Sequence, residues 1–151
     1  MTKAYDLIAS LVPRLQAIRT ANGYATEAGA SVLLGPVPRQ SDEAFPFCRV
    51  HETGATAESV VPHLPTAKLR VDFMAEAYVE QTSAALILAS GHQLVGDLKK
   101  ALFGDSARDL NGQAIAAQLE GYSVVPPEAG SDVVIAQVRG SFTFTDHFDA
   151  P

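Results

Sequence analysis

The first apolar pattern along the chain is that of an amphipathic helix. Over residues 4–18, apolar side chains recur at steps of three and four, the spacing that lines one helical face. Thr2 is a candidate N-cap, and Asn22-Gly23 favours a stop in left-handed geometry. Pro13 removes a backbone donor. Because the apolar stripe continues on the same face beyond it, we expect a kink there rather than an end.

Two short strands are predicted next, at residues 30–34 and 45–51. Pro46 restricts the second to a strand end, an edge or a bulge. The polar segment 37–43 between them predicts a loop. Residues 51–65 have few apolar positions and several Pro and Gly, so we expect a long exposed loop there. Such a loop is either disordered or ordered against a neighbouring subunit.

The clearest pattern is a strict alternation over residues 67–79, where every odd position is apolar and the even positions are mostly polar. It predicts a strand with one face on the core and the other in water or on a partner. At roughly 3.3 Å per residue this strand would reach about 40 Å, longer than a domain of this size usually needs.

A second helix is predicted over residues 83–103, ending at Gly104. Gly91 and Gly96 lower its helix propensity, and close packing of the helix on the sheet would compensate. The apolar positions that would form its buried stripe are Ala84, Leu88, Gly91, Val95, Leu98 and Leu102.

The last part of the chain predicts a hairpin. After a turn at residues 109–112, strands are expected at Gln118–Val125 and at 132–146, with turn-forming Pro and Gly between them. Residues 147–151 predict a frayed tail. The order of elements is typical of one α+β domain spanning residues 1–151, with a mostly antiparallel sheet of about four to five strands packed against two main helices.

Composition and charge disfavour several classes of function. The formal net charge of −6 disfavours a nucleic-acid binder and an anionic membrane surface as partner. Cys48 is the only cysteine, which excludes an intrachain disulfide. No secretory signal pattern and no apolar run of membrane-spanning length occurs, so we expect a soluble protein folded in a reducing cytoplasm.

The chain offers little chemistry for an enzyme. It has neither a phosphate-binding glycine loop nor a Gly-x-Ser-x-Gly elbow. Cys48 and His51 are three apart in a strand and so point to opposite faces, which favours a buried Cys48 over a nucleophile. The four histidines show no metal-ligand spacing. We expect no enzymatic activity, no cofactor and no metal.

Three segments resemble the tail terminator (tail-completion) proteins of long-tailed bacteriophages. IRTANGYATEAGASVLLG, residues 18–35, is similar to their opening, where a helix ends in an Arg-Thr-x-Asn-Gly-Tyr-like turn before the first strand. DLKKALFGD, residues 97–105, is similar to their second helix. GYSVVPPEAGSDVVIAQVRGSFTFT, residues 121–145, is similar to their closing hairpin. Together the resemblance covers most of the chain, but residues 37–43 and 51–65 carry no family pattern.

The resemblance implies a structural virion protein at the head–tail junction, assembled in the host cytoplasm. Its copies would form a ring, typically a hexamer, on the last ring of the tail tube protein. The ring would stop tube polymerisation and provide the interface for a head-completion or neck protein. DNA would pass through the lumen without specific binding, and no membrane would be involved.

Four polar residues of the long strand are candidates for the subunit interface or the lumen: Arg70, Asp72, Glu76 and Glu80. If the three carboxylates line the lumen, they would repel DNA phosphates and let the genome pass. The excess length of the strand could pair with a neighbour's sheet edge. Two alternatives remain open: a head-closure or neck ring protein of the same junction, and a small-molecule-binding α+β domain.

Overall fold

The computed structural model describes residues 2–36, 44–104 and 117–148. The predicted loop at 37–43 and the predicted turn at 109–112 lie outside the described residues. The helices are α1 (Lys3–Ala9), α2 (Leu11–Gln16) and α3 (Ile87–Phe103). The strands are β1 (Val32–Leu34), β2 (Phe47–Val60), β3 (Thr66–Glu80), β4 (Gln118–Val125) and β5 (Val133–His147).

The five described strands form one sheet in the order β1-β2-β3-β5-β4. β1 runs parallel to β2, and the β2–β3, β3–β5 and β4–β5 pairs are antiparallel. The helices pack on one side of the sheet, which we call the helix side; the other side is the outer face. The predicted α+β class with a mostly antiparallel sheet is confirmed.

The opening helix divides at Ser10 into α1 and α2. Thr2 is its N-cap, as predicted, and the Thr2 hydroxyl accepts a hydrogen bond from the Tyr5 N–H at 3.3 Å. Pro13 has no N–H to donate to the carbonyl one turn earlier, so a break before it replaces the simple kink that the pattern predicts. The apolar stripe survives the break, and Leu11 and Leu15 are fully buried.

The prediction of a long loop at residues 51–65 is wrong. β2 continues to Val60 and pairs with β3 from Phe47↔Tyr78 to Val60↔Ala67, which leaves only a tight turn between the strands. The second half of β2 is exposed on both faces, so no alternation of apolar and polar residues marks it. Its strand geometry comes from hydrogen bonds to β3, which sequence patterning does not register.

The stripe predicted for the second helix is wrong in part. Leu88 is 63% exposed, and Ala84 lies in a preceding 3-10 turn, Ala84–Leu86. The other four predicted positions are buried, and the buried face of α3 also includes Leu94 and Ala101, which the stripe leaves out. The expected close packing holds at one glycine only. A Cβ on Gly91 would lie 2.3 Å from the Val124 Cγ1 atom, whereas a Cβ on Gly96 would meet nothing within 4 Å.

β5 extends farther than the alternation predicts. His147, the first residue of the predicted frayed tail, is its last residue, and the Phe148 N–H donates to the Pro65 carbonyl at 2.7 Å. Residues 149–151 lie outside the described part of the chain.

The sheet has two unlike halves. The proximal half contains β1, β4, the first part of β2 (47–52), the second part of β3 (73–80) and the first part of β5 (133–140). The distal half has three strands, formed by residues 53–60, 66–72 and 141–147. α3 packs on β3, β4 and β5. The ring of Phe103, the last residue of α3, stacks on the Phe73 ring of β3 with 6.4 Å between the ring centres. The core therefore lies mainly in the proximal half.

Candidate functional site

Glu76 lies at the centre of a polar cluster on the outer face of the proximal half. Its carboxylate accepts hydrogen bonds from Arg49 Nη2 at 2.9 Å, from Gln137 Nε2 at 3.1 Å and from the Tyr78 hydroxyl at 3.1 Å. Arg49 Nη2 also donates to the Tyr78 oxygen at 2.7 Å. Because β2, β3 and β5 each contribute a side chain, the cluster ties the three strands together.

Burial and hydrogen bonding act in opposite directions on Glu76. Burial alone would raise the pKa of its carboxyl, but the hydrogen bonds from Arg49 and Gln137, the charge of Arg49 and the bond from Tyr78 outweigh it, so the pKa is lowered. Burial, followed by the Glu76 charge, raises the pKa of Tyr78 to about 12. Glu76 is therefore a fixed, fully engaged anion, poorly suited to exchanging protons with a substrate.

The other three predicted site residues share the outer face with Glu76 but not its cluster. Arg70 Nε lies 3.3 Å from Asp72 Oδ1, so these two side chains form their own ion pair in the distal half. Glu80 is the exposed last residue of β3. Two of the three candidate lumen carboxylates thus have a cationic neighbour within the chain, which reduces the negative potential that this face presents.

Cys48 and His51 lie on opposite faces of β2, as predicted. The Cys48 thiol points to the helix side and donates to the Ala28 carbonyl at 3.1 Å. His51 Nδ1 lies on the outer face, 3.9 Å from Glu76 Oε1, too far for a hydrogen bond. Burial, followed by the charge of Asp97, raises the pKa of the thiol to about 12. Cys48 is therefore a buried core thiol, with no thiolate available as nucleophile near neutral pH.

Within residues 2–36, 44–104 and 117–148, no group of three or more His, Cys, Asp and Glu residues is arranged to hold a metal ion. None of the helices described there is long and apolar enough to cross a membrane.

The turn between β2 and β3 carries an exposed apolar cluster that the sequence does not mark as special. The Leu64 N–H donates to the Val61 carbonyl at 3.2 Å, and His63 between them has a φ of 68°. With Pro62 second and a positive φ third, this is a type II turn, whose third position normally takes glycine. Val60, Val61 and Leu64 are 60%, 48% and 56% exposed.

The outer edge of β2 is largely open. β1 pairs only with Cys48 to Val50, and among the described strands none pairs with the edge of β2 beyond that point. The edge also carries Glu52 and Glu58, both exposed. An unpaired strand edge with apolar side chains at its end is a surface suited to a protein partner.

A second exposed apolar surface lies at the opposite edge of the sheet, where α3 packs over β4. Lys99 Nζ lies 5.0 Å from the centre of the Tyr122 ring, and the His92 ring packs edge-on against Tyr122 at 6.2 Å. Leu88 lies one turn before His92 on α3, and Leu119 and Tyr122 on β4 are 48% and 47% exposed. The surface combines exposed apolar area with two basic side chains.

A groove of about 430 Å³ runs between the start of α1 and the helix side of the distal half. Leu69, Val71 and Phe144 contribute apolar side chains, and Lys3 Nζ lies 5.6 Å from the centre of the Phe144 ring. Asp146 and His147 stand among its polar lining residues. The groove is the place where the small-molecule alternative would be tested.

The residues that carry the tail-terminator resemblance hold the fold together. Asp97 of α3 accepts hydrogen bonds from the Ala25 N–H at 3.0 Å, from the Thr26 N–H at 2.8 Å and from the Thr26 hydroxyl at 2.6 Å. A Cβ on Gly29 would lie 2.4 Å from the Leu15 carbonyl oxygen, so only glycine fits where this segment crosses α2. These contacts anchor the connection between α2 and β1 on α3.

No protein-family profile matches the sequence, and no curated protein matches it either.

Proposed function

We propose that this chain is a structural, non-enzymatic subunit of a long-tailed bacteriophage: a tail terminator that forms a ring, a hexamer by the family resemblance, at the head-proximal end of the tail tube. In this role the ring stops tube polymerisation and gives the head-completion or neck protein its docking surface. The protein belongs to the virion, at the head–tail junction, after assembly in the host cytoplasm.

The observation that carries the proposal is the open edge and the exposed apolar turn in the distal half of the sheet. Its β2 edge is open over the described residues, and the β2–β3 turn exposes Val60, Val61 and Leu64. Exposed apolar clusters of this kind are typical of surfaces that another protein covers. A ring subunit needs such surfaces for its two neighbours and for the tube.

The outer face supports the same proposal. The Glu76 cluster uses its polar groups to join strands, and the Cys48 thiol is buried in the core. Both sets of residues stabilise the fold instead of facing a substrate pocket. The candidate interface residues Arg70, Asp72 and Glu80 lie on the same outer face, available to a neighbour or to the lumen.

The first test is light scattering of the purified protein over a wide concentration range, with negative-stain images of the same samples. Rings with a central hole are the expected result, because a closed ring satisfies the heterologous contacts of identical subunits. A protein that stays monomeric at every concentration and fails to bind the ends of purified tail tubes would overturn the proposal.

The same samples separate the two ring functions. A tail terminator binds the ends of tail tubes in the absence of heads, whereas a head-closure or neck protein binds DNA-filled heads. Binding to heads alone would favour the neck protein. A stable monomer that takes up a small molecule in the groove at α1 would favour the binding-domain alternative.

A further inference from the structure

We infer that neighbouring copies in the ring join through two particular surfaces at opposite edges of the sheet, an inference that rests on the proposed function. The first, the edge patch, is formed by Glu52, Glu58, Val60, Val61 and Leu64 of β2 and the β2–β3 turn. The second, the helix–strand patch, is formed by Leu88, His92, Lys99, Leu119 and Tyr122 of α3 and β4. The edge patch of one copy binds the helix–strand patch of the next.

Both patches are apolar and exposed. In the edge patch the apolar side chains are 48–60% exposed, and in the helix–strand patch Leu88, Leu119 and Tyr122 are 63%, 48% and 47% exposed. The position of Leu88 is informative. The apolar spacing along α3 predicts that Leu88 is buried, but Leu88 lies on the side of the helix that faces away from the sheet. Its apolar side chain contributes to this surface rather than to the core.

The charges of the two patches are complementary. Glu52 and Glu58 give the edge patch two carboxylates, and Glu58 forms an ion pair with the exposed Lys68, at 3.8 Å between Oε2 and Nζ, so the negative charge comes mainly from Glu52. Lys99 gives the helix–strand patch a positive charge, whereas the carboxylate of Glu120 on β4 accepts a hydrogen bond from the Ser141 hydroxyl on the outer face. Opposite charges around apolar centres favour one orientation of two surfaces and disfavour like-with-like contact.

The location of the patches makes the contact heterologous. β2 and β4 lie toward opposite edges of the sheet, with β3 and β5 between them. Each copy therefore uses a different surface for each of its two neighbours, which is the heterologous arrangement that yields rings when the rotation closes. A two-fold dimer would need one self-complementary patch instead.

The decisive experiment mixes two charge-reversed proteins. Glu52→Lys/Glu58→Lys reverses the edge patch, and His92→Glu/Lys99→Glu reverses the helix–strand patch. Each protein alone juxtaposes like charges, so the concentration needed for half-assembly should rise at least about tenfold, measured by sedimentation velocity. An equimolar mixture restores opposite charges at every contact, and rings of alternating copies should return.

A second pair of variants removes the apolar contacts. Val61→Ser/Leu64→Ser weakens only the edge patch, and Leu88→Ser/Tyr122→Ser weakens only the helix–strand patch. Each should fail to form rings. Their mixture has one intact contact for each pair of copies, so it should stop at heterodimers. All eight substituted side chains are exposed or half-buried, and unchanged thermal unfolding of each variant would show that the fold is kept.

Arg19→Ala/Glu27→Ala is the matched control, because it removes an exposed ion pair that belongs neither to the two patches nor to the candidate interface residues. Normal rings from all four patch variants would overturn this inference while leaving the proposed function intact. The same holds if the patch variants still form rings but no longer bind tail-tube ends, since the patches would then contact the tube. If wild-type copies assemble only on tail-tube ends, the same comparison is made there by the number of copies bound.

Discussion

In the proximal half of the sheet, α3 covers three strands, and the core positions Phe73 and Leu98 are fully buried. In the distal half β3 and β5 still contribute core residues such as Val71 and Phe142, but β2 becomes exposed on both faces. The proximal half thus follows from burial of apolar surface, whereas the distal part of β2 depends on its hydrogen bonds with β3. A segment that costs little to expose yet keeps a fixed shape is well suited to contact a partner.

The largest expected difference between the halves concerns apolar truncation. Leu98→Ala removes a fully buried side chain from the proximal core and should lower the free energy of unfolding by about 2–5 kcal/mol. Leu64→Ala removes a side chain that is 56% exposed and should change it by less than about 0.5 kcal/mol. Urea unfolding monitored by circular dichroism measures both. Equal losses would mean that the β2–β3 turn is packed as tightly as the proximal core.

Removing a polar side chain should also cost more stability in the proximal half than in the distal half. Asp97→Ala leaves the N–H groups of Ala25 and Thr26, which are only partly buried, without their acceptor and should cost about 1–3 kcal/mol. Asp72→Ala removes half of a partly exposed ion pair and should cost less than about 1 kcal/mol. The same urea series compares them. A small effect at Asp97 would show that α3 does not need this anchor.

Alkaline pH should act on the proximal half. The pKa of Cys48 rises from 9.0 to about 12 in the folded protein, and that of Tyr78 rises from 10.0 to about 12. The folded state keeps these protons while the unfolded state releases them, so stability present below pH 9 is lost as the pH rises toward 12.

For Cys48 the loss at about pH 11 should be on the order of 2 kcal/mol. The Cys48→Ala variant should begin to lose stability near pH 10 instead of pH 9, the unshifted values of Tyr78 and of the thiol. Unfolding midpoints taken at successive pH values test this. An identical pH profile in the variant would contradict a titrating thiol in the core.

The smallest expected effect is a gain in stability in the distal half, at the β2–β3 turn. His63 adopts a positive φ that suits glycine, so His63→Gly should stabilise the turn by about 1 kcal/mol or less. His63→Ala, which keeps the strain, is the matched control and should not stabilise. A loss of stability in His63→Gly would indicate that the His63 side chain makes a stabilising contact.

The sequence predicts the parts of the fold that burial determines. The alternation in β3 and β5 places their helix-side residues correctly, and β4 is predicted at its observed bounds. The second half of β2 is missed because it is not buried. On α3 the pattern places Gly91, Val95, Leu98 and Leu102 on the buried face correctly, but it also assigns the exposed Leu88 to that face. Apolar pattern alone does not separate a core contact from a partner contact.

The candidate site could be predicted only in part for a related reason. Alternation puts Asp72, Glu76 and Glu80 on one face, but it does not give the register between strands. The Glu76 cluster forms because Arg49 lies directly opposite Glu76 on β2 and Gln137 lies directly opposite it on β5. Neither pairing is encoded in local sequence spacing, and both strand neighbours are distant along the chain.

The register of β2 against β3 shifts twice, between Glu52 and Gly54 and between Ala57 and Ser59. Such irregularities bend and twist a strand, so the open edge is not the flat template on which identical chains stack without limit. We therefore expect copies of this chain to accumulate without forming fibrils, although they expose an apolar surface. Under the proposed function, that surface would stay uncovered only between synthesis and assembly.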